Sequence, residues 1–181
     1  SIEGGAIVCR SEVMKKRIDH LKNFGFANET TVIEPGINAK MNEFQAAFGL
    51  LQLRYVDGYI ARRKEIAETY RSGLRDVAGI RCMEDIPGVR HGYPYFPVFV
   101  DAAQYGMSRD DLYEKLKQHQ IFGRRYFYPL ISQFPTYSGL SSARPENLPV
   151  AEQAARQVLC LPIFPELSLE KVAEILSIIK S

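Results

Sequence analysis

Apolar and polar positions along the chain separate into short unbroken runs and longer helical stripes. AIVC, residues 6–9, is an unbroken apolar run behind Gly4-Gly5 and predicts a buried strand. Ser11 is placed to cap a helix carrying Val13, Ile18 and Leu21, with basic residues on its other side and Gly25 ending it. Residues 26–40 are polar, and Pro35-Gly36 marks a turn. A loop of that length inside a compact domain tends to be functional. Met41, Phe44, Ala47, Phe48, Leu51 and Tyr55 then recur at helical spacing and predict a helix over 41–55. Asp57-Gly58 is expected to interrupt it. A third helix is predicted over 59–75, with Ile60, Ile66, Ala67, Tyr70 and Leu74 as its apolar stripe. Its basic run Arg62-Arg63-Lys64 reads as a solvated face.

The pattern changes near residue 78. Residues 80–83 and 95–100 read as strands. Ser108 with Asp111 has the spacing of a capping box and opens a helix to about 119. An aromatic-rich stretch at 123–130 and a Ser/Pro/Gly loop at 132–149 follow. A helix over 150–158, a strand at 159–161 and a last helix from the N-cap Ser168 complete the chain. Strands alternating with helices make this half a small α/β or α+β unit.

Composition narrows the picture. With 181 residues the chain holds one domain or two small ones. Hydrophobic residues at 46% and charged residues at 24% exclude disorder. A net charge of +2 is too small to argue for nucleic acid or a membrane surface as the main partner. Cys9, Cys82 and Cys160 are too far apart for a disulfide framework or a zinc site, which fits a reducing, cytoplasmic compartment. No apolar run approaches the roughly 18 residues of a membrane span. The start, SIEGGAIVC, lacks the basic and apolar regions of a signal peptide. It also lacks Met, and a chain cut from a longer protein is at least as good a reading as a natural start.

The sequence has no P-loop, GxGxxG, HExxH or GxSxG. His20, His91 and His119 are scattered and read as structural or surface residues. Glu3-Gly4-Gly5 is either a tight turn or a close backbone approach. Residues 36–47 place Asn38, Lys40, Asn42 and Glu43 at the start of a helix, where free N–H groups and a lysine favour an anion. Alternatively these residues only cap the helix. Gly123 to Pro129 sets Arg124 and Arg125 beside Tyr126, Phe127 and Tyr128. That cluster suits a phosphorylated, ring-bearing ligand, a single-stranded nucleic acid, or ordinary packing on an edge strand.

Taken in order, these stretches resemble the DegT/DnrJ/EryC1/StrS group of sugar aminotransferases that use pyridoxal 5'-phosphate. EGGAIVC (3–9), LKNFGF (21–26), PGINAKMNEFQAAFGLLQL (35–53), YIARRKEIAETY (59–70), RRYFYPL (124–130) and PVAEQAARQVLCLPIFPELSLEKV (149–172) carry the resemblance. It implies an α/β, fold-type-I transferase architecture like that of aspartate aminotransferase. Residues 1–57 would end the large domain, 58–77 would form a long connecting helix, and 78–181 would form the small C-terminal α+β domain. It implies a cytoplasmic homodimer with shared active sites that aminates a keto-deoxysugar nucleotide from glutamate, with a dTDP-4-keto-6-deoxyhexose as the closest wording.

The resemblance carries Asn38 and Lys40 over as contacts to the phosphate of a partner subunit's cofactor. Arg124, Arg125, Tyr126 and Tyr128 become substrate-side candidates. Tyr126 stands where the family commonly has His, and Lys40 where it more often has Arg or Asn. No metal is implied. The Schiff-base lysine is expected upstream of Ser1, so this chain alone is expected not to transaminate. Two other readings stay open: a sugar dehydratase of the same family, with His in place of that lysine, and a free-standing module for single-stranded nucleic acid.

Overall fold

The computed structural model describes residues 2–181, which divide into two compact units meeting at Asp57 and Gly58. The first unit holds α1 (Glu12–Leu21) and α2 (Glu43–Leu53). Both start where their polar residues dictate. Ser11 accepts a hydrogen bond from the Met14 amide, and Asn42 and Gln45 form a reciprocal capping box.

Burial in this unit departs from the sequence pattern. Residues 6–9 form no strand: Ile7 is 72% and Val8 95% exposed. A strand needs a neighbour for its backbone hydrogen bonds, and none lies beside this segment among the described residues. The stripe on α2 also stays open, with Phe44 87% exposed. Among residues 2–57 only Gly25 is buried.

In place of a core, the first unit has a tight backbone ladder between residues 21–26 and 32–39. Phe24 N–H donates to Ile37, Ala39 N–H to Lys22, Ile37 N–H to Leu21 and Ile33 N–H to Gly25. The two segments approach so closely that a Cβ on Gly25 would lie 1.7 Å from the Glu34 carbonyl oxygen. One on Gly36 would lie 2.3 Å from the Gly25 nitrogen. Gly25 also has φ +84°, a conformation glycine adopts freely.

The second unit takes most of α3 (Val56–Leu74), followed by β1 (Ile80–Cys82), β2 (Phe96–Val100), the single turn α4 (Ala102–Tyr105) and α5 (Arg109–Gln118). Three short 3-10 turns lead to α6 (Pro149–Gln157), β3 (Val158–Leu161) and α7 (Leu169–Lys180). The strands form an antiparallel sheet in the order β1-β2-β3, with Ile80 opposite Val100 and Pro97 opposite Cys160. The unit is therefore α+β.

Alternation along β2 buries Phe96, Val98 and Val100. They join Ile66, Tyr70 and Leu74 of α3, Leu112 and Leu116 of α5, and Val172, Ile175 and Ile179 of α7 in one core. The Ser108–Asp111 capping box and the Ser168 cap form as their spacing predicts.

Two expectations about α3 are corrected. The helix begins at Val56 and runs through Asp57-Gly58. In a first turn the amides have no helical partner to lose, and an acidic residue there suits the helix dipole. The basic run is only partly solvated. Arg62 donates to the Leu167 carbonyl at 2.9 Å, and Arg63 makes two bonds, 3.1 and 3.0 Å, to the Gly92 carbonyl. The arginine fork reaches over the helix shoulder and ties down distant loops. Lys64 keeps to the surface beside Glu68.

Candidate functional site

The predicted site residues fall into both units, and each group is built by its own local structure. In the first unit, Phe24 N–H···O Ile37 and Ala39 N–H···O Lys22 flank the antiparallel bridge between Asn23 and Asn38. Flanking bonds of this kind define a non-hydrogen-bonded pair, the arrangement that brings opposite side chains closest. The Lys40 ammonium donates to Asn23 Oδ1 at 2.6 Å and lies 5.0 Å from the centre of the Phe24 ring. The Asn38 carboxamide has no hydrogen-bond partner among the described residues, and both Asn38 and Lys40 are exposed.

Asn42 behaves differently. Its side chain accepts from the Gln45 amide at 2.9 Å, and its own amide donates to Gln45 Oε1 at 3.3 Å. Residues 42–45 therefore serve as the cap, and Asn38 and Lys40 stand apart from it. Gly5 has open space at its Cβ position and no positive φ, so neither a turn conformation nor a close approach requires glycine there.

In the second unit, the segment after α5 runs along the outer side of β3. Arg124 exchanges two backbone hydrogen bonds with Cys160, at 3.0 and 2.7 Å. Its guanidinium is exposed and has no partner among the described residues. Arg125 is engaged. It donates to Asp110 Oδ1 at 2.8 Å and lies 4.6 Å over the Tyr113 ring and 5.8 Å from Tyr128. Arg109 reaches the same Asp110 oxygen at 2.9 Å and covers the other aromatic, Tyr128, at 4.7 Å. Burial pushes the Asp110 carboxyl up, but the two guanidinium groups outweigh it and hold the group below its ordinary range.

Tyr126 stacks on Phe127 with ring centres 4.8 Å apart and planes 11° from parallel. Tyr95 meets both edge-on, at 5.6 and 6.2 Å. All three rings stay exposed, Phe127 at 68%. The four substrate-side candidates thus divide. Arg125 and Tyr128 join a charged cluster with Arg109, Asp110 and Tyr113. Tyr126 joins an open aromatic platform.

Several residues here escaped the sequence pattern. Tyr95 sits in a strand-like run that marked it only as packing. Arg109 lies in a first helical turn, yet it is 4% exposed and donates to the Ala155 and Val158 carbonyls at the end of α6. Asn23 and Phe24 lie in the LKNFGF stretch, whose wording carries resemblance but no chemistry of its own.

Elsewhere in the second unit, Asp85 accepts hydrogen bonds from Arg71, at 2.6 Å, and from the Tyr93 hydroxyl. Arg71 first and Tyr93 second hold the Asp85 carboxyl below its usual range. His91 Nδ1 accepts from the Tyr93 amide at 3.0 Å, a structural contact. Among the described residues no three His, Cys, Asp or Glu side chains converge as a metal site.

The sequence matches the DegT/DnrJ/EryC1/StrS aminotransferase family over residues 1–180. It is 49% identical over 175 residues to an Escherichia coli dTDP-4-amino-4,6-dideoxy-D-glucose transaminase, covering 97% of this chain and 47% of that protein. A Shigella dysenteriae transaminase of the same description is 42% identical over 180 residues, covering 99% and 48%. Among solved structures, S. venezuelae DesV matches with a TM-score of 0.85 at 29% identity, over 96% of this chain and 45% of DesV. The PLP form of Streptococcus pneumoniae Spr1654, a putative sugar aminotransferase, has the same fold, with a TM-score of 0.82 at 23% identity, over 97% of this chain and 45% of its own. The chain spans about half the length of the relatives it matches.

Proposed function

The chain belongs to the DegT/DnrJ/EryC1/StrS aminotransferase family, and from that membership we propose that it forms part of an enzyme moving an amino group from glutamate to a nucleotide-linked keto-deoxysugar. The observation that carries this reading is the 49% identity, across nearly the whole chain, to a transaminase of a dTDP-linked 4-amino sugar. A dTDP-4-keto-6-deoxyhexose is the substrate we propose on that basis. The relatives are described as transaminases, which favours neither a sugar dehydratase nor a nucleic-acid module.

Pyridoxal phosphate, when bound, would supply a pyridine ring that draws in the electron pair left at the carbon bearing the transferred nitrogen. Its phosphate needs a cation and hydrogen-bond donors, and an exposed lysine bonded to Asn23, the residue that pairs with the exposed Asn38, fits that need. We assign Lys40 and Asn38 to the phosphate of a cofactor held by the partner subunit. Lys40 brings a point charge without the two-pronged grip of arginine. In the second unit, Tyr126, Phe127 and Tyr95 offer ring faces to the apolar side of a sugar or a base. Arg124, whose exposed guanidinium has no partner among the described residues, is the residue we assign to the diphosphate. Arg125 and Tyr128 act indirectly, because Asp110 and Arg109 already engage them.

None of the chain's lysines takes the family position of the Schiff-base lysine, so we propose that this chain alone does not transaminate. The same family reading supports a homodimer that shares its active sites and works in the cytoplasm. No helix among the described residues is long and apolar enough to cross a membrane. The test uses the full-length protein with pyridoxal phosphate, glutamate and dTDP-4-keto-6-deoxyglucose. Mass spectrometry should detect the amino sugar together with 2-oxoglutarate. Absence of both products with the 4-keto sugar and with its 3-keto isomer would remove the proposal.

A further inference from the structure

An exposed lysine normally samples many rotamers, and ordering it costs entropy. Lys40 is held at two points. Its ammonium donates to Asn23 Oδ1, and the Phe24 ring lies beneath it at 5.0 Å. Neither support is accidental to the backbone. Asn23 faces Asn38 across the close pair of the ladder, and residues two apart on an extended chain point to the same side. Asn23, Asn38 and Lys40 therefore share one face. Phe24 has φ +59°, a left-handed conformation uncommon for a bulky residue. Hydrogen bonds from Phe24 N–H to Ile37 and from Gly25 N–H to His20 fix the chain on both sides of it. Such strain persists where the surroundings over-determine it, and it gathers at ligand clamps.

The hydrogen-bonding inventory of this face is one-sided. Asn23 gives its acceptor oxygen to Lys40, which leaves its NH₂ group as a donor. The ammonium keeps two N–H groups beyond the one directed at Asn23. The Asn38 carboxamide adds another donor. We propose that Asn23 and Phe24 are positioning residues that hold the Lys40 ammonium, with the two carboxamides beside it, ready for an oxyanion. This rests on the assignment of Lys40 to the cofactor phosphate, so the oxyanion is that phosphate.

The experiment compares two ligands that differ only in that group. Full-length protein stripped of cofactor is titrated with pyridoxal phosphate and with pyridoxal, and the ratio of dissociation constants measures phosphate recognition. In Asn23→Ala the preference for the phosphorylated ligand should fall about tenfold, the scale of one charge-assisted hydrogen bond. Affinity for pyridoxal should hold. Phe24→Leu should lower the preference by a smaller factor, because a weaker cation–π contact is lost. If Asn23→Ala loses pyridoxal as well, the ratio is read on Asn23→Leu, which fills the same space without an acceptor oxygen and should show the same fall, an unchanged ratio overturning the role. An unchanged ratio in Asn23→Ala, alongside a lowered one in Lys40→Ala, overturns the positioning role. An unchanged ratio in Lys40→Ala overturns the phosphate assignment beneath it.

Discussion

The two units reach order by different means. Residues 58–181 surround a sheet with buried Ile, Leu, Val, Tyr and Phe side chains, many of them fully enclosed. Residues 2–57 bury only Gly25, yet they contain two capped helices and a ladder of backbone hydrogen bonds. An apolar stripe therefore specifies a helix in both units but a core in only one. In the first unit local hydrogen bonding and close backbone approach set the geometry. In the second, exclusion of water does.

The sharpest way to break this contrast is a pair of truncations. Leu112→Ala, at a fully buried position of α5, should cost about 2–5 kcal/mol in urea unfolding of this chain. Phe44→Ala, on the open face of α2, should stay within about 0.5 kcal/mol. If the second variant costs as much as the first, the α2 face is covered in solution and the contrast fails.

A smaller effect isolates the ladder. Gly25→Ala meets the Glu34 carbonyl at 1.7 Å and demands an unfavourable φ. It should cost roughly 1–3 kcal/mol, confined to the first unit. Amide exchange would report it: the Phe24, Ile37 and Ala39 amides should lose protection while those of β2 keep theirs.

The smallest expected effect is electrostatic and separates an open ion pair from a sheltered one. Lys15 first, then Lys22, holds Asp19 near a pKa of about 2, against a slight opposing effect of burial. Arg71 and Tyr93 lower Asp85 in the second unit. Both groups have folded values below their unfolded ones. Their contribution is therefore complete above the ordinary carboxylate pKa and is lost as pH falls through the folded value. The Lys15 partner of Asp19 is largely open to solvent, so 1 M salt should return the Asp19 titration toward the ordinary carboxylate range. Asp85, flanked by a largely sheltered Arg71, should move less. NMR titration of the two carboxyl carbons reads both, and equal salt sensitivity would erase the distinction.

What the sequence disclosed follows the same line. Ser11, Ser108 with Asp111, and Ser168 announce helix starts because a cap is a contact across three residues. The α3 stripe and the alternation in β2 foretell burial because the partner elements lie in the same unit. The run at 6–9 and the α2 face repeat those patterns without becoming buried among the described residues, and pattern alone cannot distinguish the cases. Asn38 and Lys40 were candidates in the sequence, from their place before a helix start and from resemblance. Asn23 was not, because its contact with Lys40 spans 17 positions. Arg109 reaches a carbonyl 46 positions away, and Arg125 an acid 15 away. Tyr95 meets its platform partners only once β2 is laid beside β3.

The short strands have a consequence for how the molecule behaves in concentrated solution. One border of the sheet is β1, three residues long with Arg81 at its centre. The other, β3, is bridged at Cys160 by Arg124. Neither border offers the long, flat row of free amides and carbonyls on which fibrils grow. The open hydrocarbon surface of the first unit is stickiness of another kind, carried by side chains on helices. Clumping of this protein should therefore be amorphous and reversible by mild detergent, without seeding and without the cross-β signature that binds amyloid dyes.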